Sequence, residues 1–257
     1  MSELVRNRVD GEAGIARIVL NRPERRNALN FELVEELKDC LALADADERI
    51  RVVAISGAGK DFCAGADLED VAEANEKGVL ASLEDAESLG ELFLLIRRMD
   101  TPVVSVVHGR ALAGGCGLAT ACDLVFAASD ATFGYPEVRL GFVPAMVMAI
   151  LRRSVGEKRA FELISLGEAI DAAEAAAIGL VNRVFPTAEF EDRVDEVLAE
   201  LAARSASAVS LGKRLLYQID GASFEAAIRS GAQLNALARQ TDDCRAGIAE
   251  FLARRKS

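Results

Sequence analysis

The sequence is poor in the residues on which many hydrolytic and metal-dependent enzymes rely. Its 257 residues include one histidine, His108, at the end of an apolar run. With no obvious nucleophile beside it, His108 reads as a structural or loop residue, which argues against a Ser–His–Asp mechanism and a histidine-based metal site. The five cysteines are odd in number and contain no CxxC pair. They read as free thiols in a reducing compartment, with cytoplasm the default, and not as a disulfide framework or zinc site. No apolar run reaches membrane-spanning length, and the opening stretch MSELVRNRVDGEAG is charged and unlike a signal peptide. Positive charge is short as well. The net charge of −11 speaks against nucleic acid as a partner, because phosphate binding needs clustered Lys and Arg.

Familiar nucleotide and hydrolase motifs are also missing. SGAGKDF resembles a P-loop, but Ala54 stands where the first glycine belongs and Asp61 follows the lysine in place of Ser or Thr. No GxGxxG, GxSxG or HExxH occurs.

What is present is an α/β pattern. IARIVL (15–20), VVAIS (52–56), VVSVV (103–107), LVFA (124–127) and LVNRVF (180–185) are short, β-branched and bounded by Gly, Asp or Pro. Between them, FELVEELKDCLALADAD has apolar residues at helical spacing, with Asn30 placed as N-cap, and EDAESLGELFLLIRRM is a second amphipathic helix. Residues 1–187 thus form an α/β core. Residues 188–257 carry no convincing strand and read as a module of three or four helices, with breaks near Gly221 and Thr241.

The stretch HGRALAGGCGLATACD (108–123) poses a puzzle. It opens a helix, yet Gly114, Gly115 and Gly117 crowd its first turn, each costing about 1 kcal/mol relative to alanine. Glycines at a helix start expose backbone N–H groups and let a ligand carbonyl approach closely. They also allow tight helix–strand packing, and spacing alone does not choose between these readings. VVAISGAGKDFCAGADL echoes the same strand, glycine loop and helix order, so two loops could each supply one donor to the same oxygen. Two basic clusters stand out against the acidic balance: Arg22, Arg25 and Arg26, and Arg254, Arg255 and Lys256. By composition alone both are solvated surface.

Five segments in order, LNRPERRNALN (20–30), FCAGADL (62–68), the glycine stretch, FGYPEVRLGFVP (133–144) and DAAEAAAIGLVNRVFP (171–186), resemble the enoyl-CoA hydratase/isomerase (crotonase) superfamily almost end to end. The resemblance implies a spiral of ββα turns and C-terminal helices that assemble a homotrimer, often a dimer of trimers. It also implies an acyl-CoA thioester substrate, with coenzyme A as part of that substrate and no separate cofactor or metal. By motif position the backbone N–H groups of Ala66 and Gly114 would polarise the thioester carbonyl, and Glu137 would be the acid/base. Arg26 and Arg254 match positions that meet coenzyme A in some relatives, Arg254 often from a neighbouring subunit. The backbone of Ala28, Ala64, Asp67 and Leu68 would line the path of the coenzyme A arm.

One departure matters. Many hydratases of this superfamily carry a second glutamate at the position held here by Gly117. The apolar neighbours Tyr135, Pro136, Val138 and Phe142 would raise the pKa of Glu137 and suit it to proton transfer. Three readings stay open: a hydratase of the subgroup that also has glycine here, a Δ3–Δ2 enoyl-CoA isomerase with one base, and a non-catalytic acyl-CoA-binding relative. The walls of the acyl pocket are expected from segments 70–95 and 142–150.

Overall fold

Each β-branched run that the sequence marks becomes a strand of one sheet, and the glycine loops lie along a second, smaller ladder beside it. The computed structural model describes residues 3–255. The chain starts with an antiparallel hairpin of β1 (Val5–Asp10) and β2 (Ile15–Leu20), then enters α1 (Phe31–Ala46). β3 (Val52–Gly57) leads to α2 (Leu68–Lys77) and α3 (Val79–Arg98). Next come β4 (Val103–Val107), β5 (Arg110–Leu112) and α4 (Gly114–Ala121). The pattern repeats with β6 (Leu124–Ala128), β7 (Thr132–Gly134), a 3-10 turn over Pro136–Leu140, α5 (Ala145–Val155) and α6 (Glu157–Leu166). β8 (Ala169–Asp171), α7 (Ala172–Ala177) and β9 (Arg183–Phe185) close the core. Four helices follow: α8 (Phe190–Ala202), α9 (Ala206–Gln218), α10 (Phe224–Ala238) and α11 (Asp242–Arg254).

The larger sheet runs β1-β2-β3-β4-β6-β9, parallel from β2 onward. The smaller runs β5-β7-β8, and two isolated parallel bridges, Leu29 to Ala66 and Cys63 to Ala111, extend the same ladder to the earlier turns. Successive turns therefore pass from the large sheet to the small ladder and into a helix. This is the expected spiral, and it stacks the loops at 63–67 and 111–114 side by side.

α1 forms where its apolar spacing places it. Leu33, Val34, Leu37, Leu41 and Ala44 make one buried stripe, and the Asn30 side chain accepts from the Leu33 N–H at 3.2 Å. The run at 180–185 is extended only over Arg183–Phe185; Leu180 and Val181 are buried in the loop before it. β1, β5, β7 and β8 have no counterpart in the sequence reading. β1 is an edge strand with one buried residue, and three-residue strands are too short to show alternation.

The helical module expected at 188–257 consists of four helices within the described residues, with breaks at Gly221 and Thr241. Its first helix is part of the core. Phe190, Val194 and Leu198 of α8 cover the outer face of the sheet against Val52, Val104 and Phe126. α9 is tied down by a buried lysine: Lys213 Nζ lies 2.7 Å from Asp123 Oδ2 and donates to the Thr101 carbonyl at 2.9 Å. Tyr217 donates to the other Asp123 oxygen at 2.8 Å. α10 and α11 instead carry exposed apolar side chains, Phe224, Ile228, Leu237 and Phe251 among them.

Candidate active site

The loop that follows β2 organises the site, and a residue not singled out by sequence reading does most of the organising. Asn27 is fully buried with φ 56°. Its amide nitrogen donates to the carbonyls of Ala58, Asp61 and Phe62 at 2.9, 2.8 and 3.1 Å, and its oxygen accepts from the Arg22 N–H at 3.0 Å. The loop then pairs with 63–67: Ala64 N–H to Arg26 O at 3.0 Å, Leu29 N–H to Gly65 O at 2.8 Å, and Asp67 N–H to Leu29 O at 2.9 Å. These bonds alternate past Ala66 and hold it in place. An asparagine beside the arginines of NRPERRNAL was the available signal, since Asn tolerates a left-handed backbone. Asn27→Ala takes the donor from two buried carbonyls, Asp61 and Phe62, and a half-buried one, Ala58, so a stability loss of about 2–5 kcal/mol is expected in denaturant unfolding, with turnover falling in the folded fraction.

The second loop approaches from β5. Gly65 and Ala113 face each other so closely that a methyl on Gly65 would stand 3.2 Å from the Gly114 nitrogen. A methyl on Gly114 would stand 3.7 Å from the Ala66 nitrogen. Among the described residues, neither the Ala66 nor the Gly114 N–H donates to another group of the chain. Two unspent donors therefore flank one spot, the second at the N-terminus of α4 where the helix dipole adds positive potential. Ala113 takes φ 51°, ψ −128°, a conformation costly for a residue with a Cβ, while its N–H is held by the Gly134 carbonyl at 2.8 Å. Ala113→Gly relieves that cost, and a gain of about 1 kcal/mol in unfolding free energy is expected.

Both donors open onto a cavity of about 680 Å³. The side chains of Leu89, Leu140, Phe142, Val143, Met146 and Val147 make its walls largely apolar. Glu137 lies on this cavity in the 3-10 turn that starts at Pro136, buried to 7% exposure. Its Oε2 is fully enclosed and has no hydrogen-bond partner. Burial pushes the Glu137 carboxyl above the usual carboxylate range. The other carboxylate on the cavity, Asp67, is occupied: it pairs with Arg22 Nη2 at 3.0 Å and caps α2 through Glu69 N–H at 3.1 Å.

Most of the predicted site residues meet here. Arg26, Ala28, Ala64, Ala66, Asp67, Leu68, Gly114 and Glu137 all line the cavity. Arg25 does too, but its guanidinium is shared with Glu69 at 2.8 and 3.0 Å. The N–H groups of Ala28, Ala64 and Asp67 are spent within the loops, and the Ala28 and Asp67 carbonyls already accept from Arg22 Nη1 at 2.7 Å and Val71 N–H at 3.0 Å, so these residues flank a ligand chiefly by contact. Arg254 is not brought to the cavity by its own chain; it ends α11, 2.5 Å from Glu250. His108 behaves as a loop residue, its Nε2 3.0 Å from the Gly59 carbonyl. Segment 142–150 supplies six of the cavity's residues, whereas 70–95 supplies only Val71, Asn75 and Leu89.

The glycines divide by function. A methyl on Gly115 would sit 2.4 Å from the Cys63 carbonyl, and one on Gly117 would sit 2.1 Å from Val147 Cγ1. Both are demanded by packing. Gly114 would meet nothing closer than 3.6 Å, so its missing side chain serves the cavity.

Comparison with known proteins shows which family the chain resembles. The family model described as enoyl-CoA hydratase/isomerase matches residues 10–257. The chain is 36% identical to the 2,3-dehydroadipyl-CoA hydratase of Escherichia coli over 256 residues, covering 99% of this chain and 97% of that one. It is 34% identical to the crotonyl-CoA hydratase of Syntrophomonas wolfei over 256 residues, covering 97% and 95%. The crystal structure of an enoyl-CoA hydratase from Mycobacterium smegmatis superposes with a TM-score of 0.93 at 30% identity, over 98% of this chain and 97% of that one.

Proposed function

The chain belongs to the enoyl-CoA hydratase/isomerase family, and on that premise we propose that it adds water to a 2-enoyl-CoA thioester with Glu137 as its acid/base. One observation carries the reading: a buried carboxyl with one unpartnered oxygen shares a cavity with two unspent backbone donors. The thioester oxygen accepts from Ala66 N–H and Gly114 N–H, which stabilise the charge that develops there as the double bond is attacked. The Glu137 carboxylate takes one proton from water while the water oxygen bonds to Cβ. The resulting enolate then takes that proton from Glu137 at Cα. Arg26 on the cavity rim is suited to coenzyme A phosphate, and Ala28, Ala64, Asp67 and Leu68 to flank its arm.

A second reading, Δ3–Δ2 enoyl-CoA isomerisation, is favoured by the lack of a second free carboxylate on the cavity among the described residues. There Glu137 would remove a proton at C2 and return it at C4. Turnover of 2-enoyl-, 3-enoyl- and 3-methylglutaconyl-CoA in oxygen-18 water, read by mass spectrometry, separates the two. Hydration yields labelled hydroxyacyl-CoA, and isomerisation yields 2-enoyl-CoA without label. Binding with no reaction and no exchange at C2 would identify a non-catalytic relative.

The exposed apolar side chains of α10 and α11 support reading the C-terminal module as the oligomerisation surface of a homotrimer or dimer of trimers. In that assembly Arg254 would serve a neighbouring subunit's coenzyme A. Molar mass by light scattering tests it.

A further inference from the structure

Gly117 and Val147 lie 30 residues apart in sequence but share one volume. The direction in which any side chain at 117 would leave the backbone runs into Val147 Cγ1 at 2.1 Å, Val147 Cβ at 3.2 Å and Phe93 Cζ at 3.3 Å. Val147 is itself buried and lines the cavity, whereas Gly117 does not reach it. Val147 therefore stands between Gly117 and the cavity that Gly114, one turn earlier in α4, reaches directly. The place that a second acid would occupy is thus filled, and filled by an apolar group from α5.

We propose that Val147 is a specificity-determining residue, which by filling the volume over Gly117 bars a second acid from the site and limits the bulk of the acyl group that enters. This rests on the acyl-CoA reading above. Any acid introduced at 117 meets Val147 first, so the one-carboxylate site is a property of the pair 117/147. Shortening Val147 joins the space over Gly117 to the cavity and relaxes the limit on acyl bulk.

The test uses saturated, unreactive thioesters, so that it reads the pocket whether or not the protein hydrates. Binding of butyryl-CoA and the branched isovaleryl-CoA is compared by calorimetry for wild type, Val147→Ala and Val147→Ile. Val147→Ala is expected to raise the affinity ratio of branched to linear thioester about tenfold, the usual scale for one methyl-sized change in an apolar pocket. Val147→Ile is expected to lower the ratio, and it keeps the test decisive should the alanine variant fail to fold. Ratios within threefold of wild type in the folded variants would overturn the proposal, because a purely structural role would weaken both ligands alike. A stability cycle reads the coupling independently. Gly117→Ala alone should lower the melting temperature sharply, and adding Val147→Ala should recover most of that loss; simple additivity of the two losses would overturn the shared volume. If neither thioester binds wild type while free coenzyme A does, the limit on acyl bulk fails together with the acyl-CoA reading.

Discussion

Glu137→Gln is expected to keep acyl-CoA affinity within a fewfold of wild type and to lose turnover by about 10²–10⁴, the usual contribution of a positioned acid/base. The amide fills the same volume on the same 3-10 turn, so the two backbone donors and the apolar walls are untouched. The variant should also be more stable than wild type at neutral pH. Burial raises the folded-state pKa of Glu137 above its unfolded value, so the folded protein holds a proton that the unfolded chain releases. Its contribution to stability therefore falls as pH rises from the ordinary carboxylate pKa through the raised one. Thermal melts of the two proteins should diverge as pH rises through that window and converge below it. The same raised pKa sets the acid limb of the kcat/KM profile, since the carboxylate form must be present to accept the first proton. The limb should lie above the usual carboxylate range. Full turnover in Glu137→Gln would remove Glu137 from the mechanism.

Gly114→Ala and Gly115→Ala are expected to fail in opposite ways, although they differ by one position. At Gly114 the added methyl meets only ordinary contacts, at 3.6 Å and beyond, so the fold should persist with a melting temperature close to wild type. That methyl stands 3.7 Å from the Ala66 nitrogen, in the space where the thioester oxygen would sit between the donors. Loss of one donor's share of the oxyanion costs about 10²–10³ in kcat, and a comparable loss is expected here. At Gly115 the methyl would lie 2.4 Å from the Cys63 carbonyl and 2.7 Å from its Sγ. Cys63 is fully buried and bridges to Ala111, so neither loop can yield without breaking the ladder. A stability loss of about 3 kcal/mol or more is expected, at the upper end of core overpacking. Equilibrium unfolding measured beside single-turnover kinetics distinguishes the two variants. A stable Gly114→Ala protein with wild-type turnover would show that the thioester oxygen does not occupy the space between the Ala66 and Gly114 N–H groups.

The sequence by itself determined what depends on near neighbours in the chain. The five β-branched runs become strands because their side chains suit a buried sheet, and α1 starts at Asn30 because its oxygen caps a nearby N–H. The motif order placed Ala66, Gly114 and Glu137, and the fold brings all three onto one cavity. Strands of three residues leave no such trace, so β5, β7 and β8 are visible only once the larger sheet has positioned them. Tertiary structure alone decided what depends on groups far apart in sequence. Asn27 is a loop polar residue until three carbonyls from 58–62 converge on its amide. Gly117 looks like an acid lost from a motif until Val147, from another helix, is found to fill the space. Arg254 falls in a basic stretch of the sequence, yet in the folded chain it ends α11 beside Glu250 and does not line the cavity. Close packing explains the difference: a local pattern fixes which face of an element is buried, but which atom fills a given volume is set by segments that meet only in the folded chain.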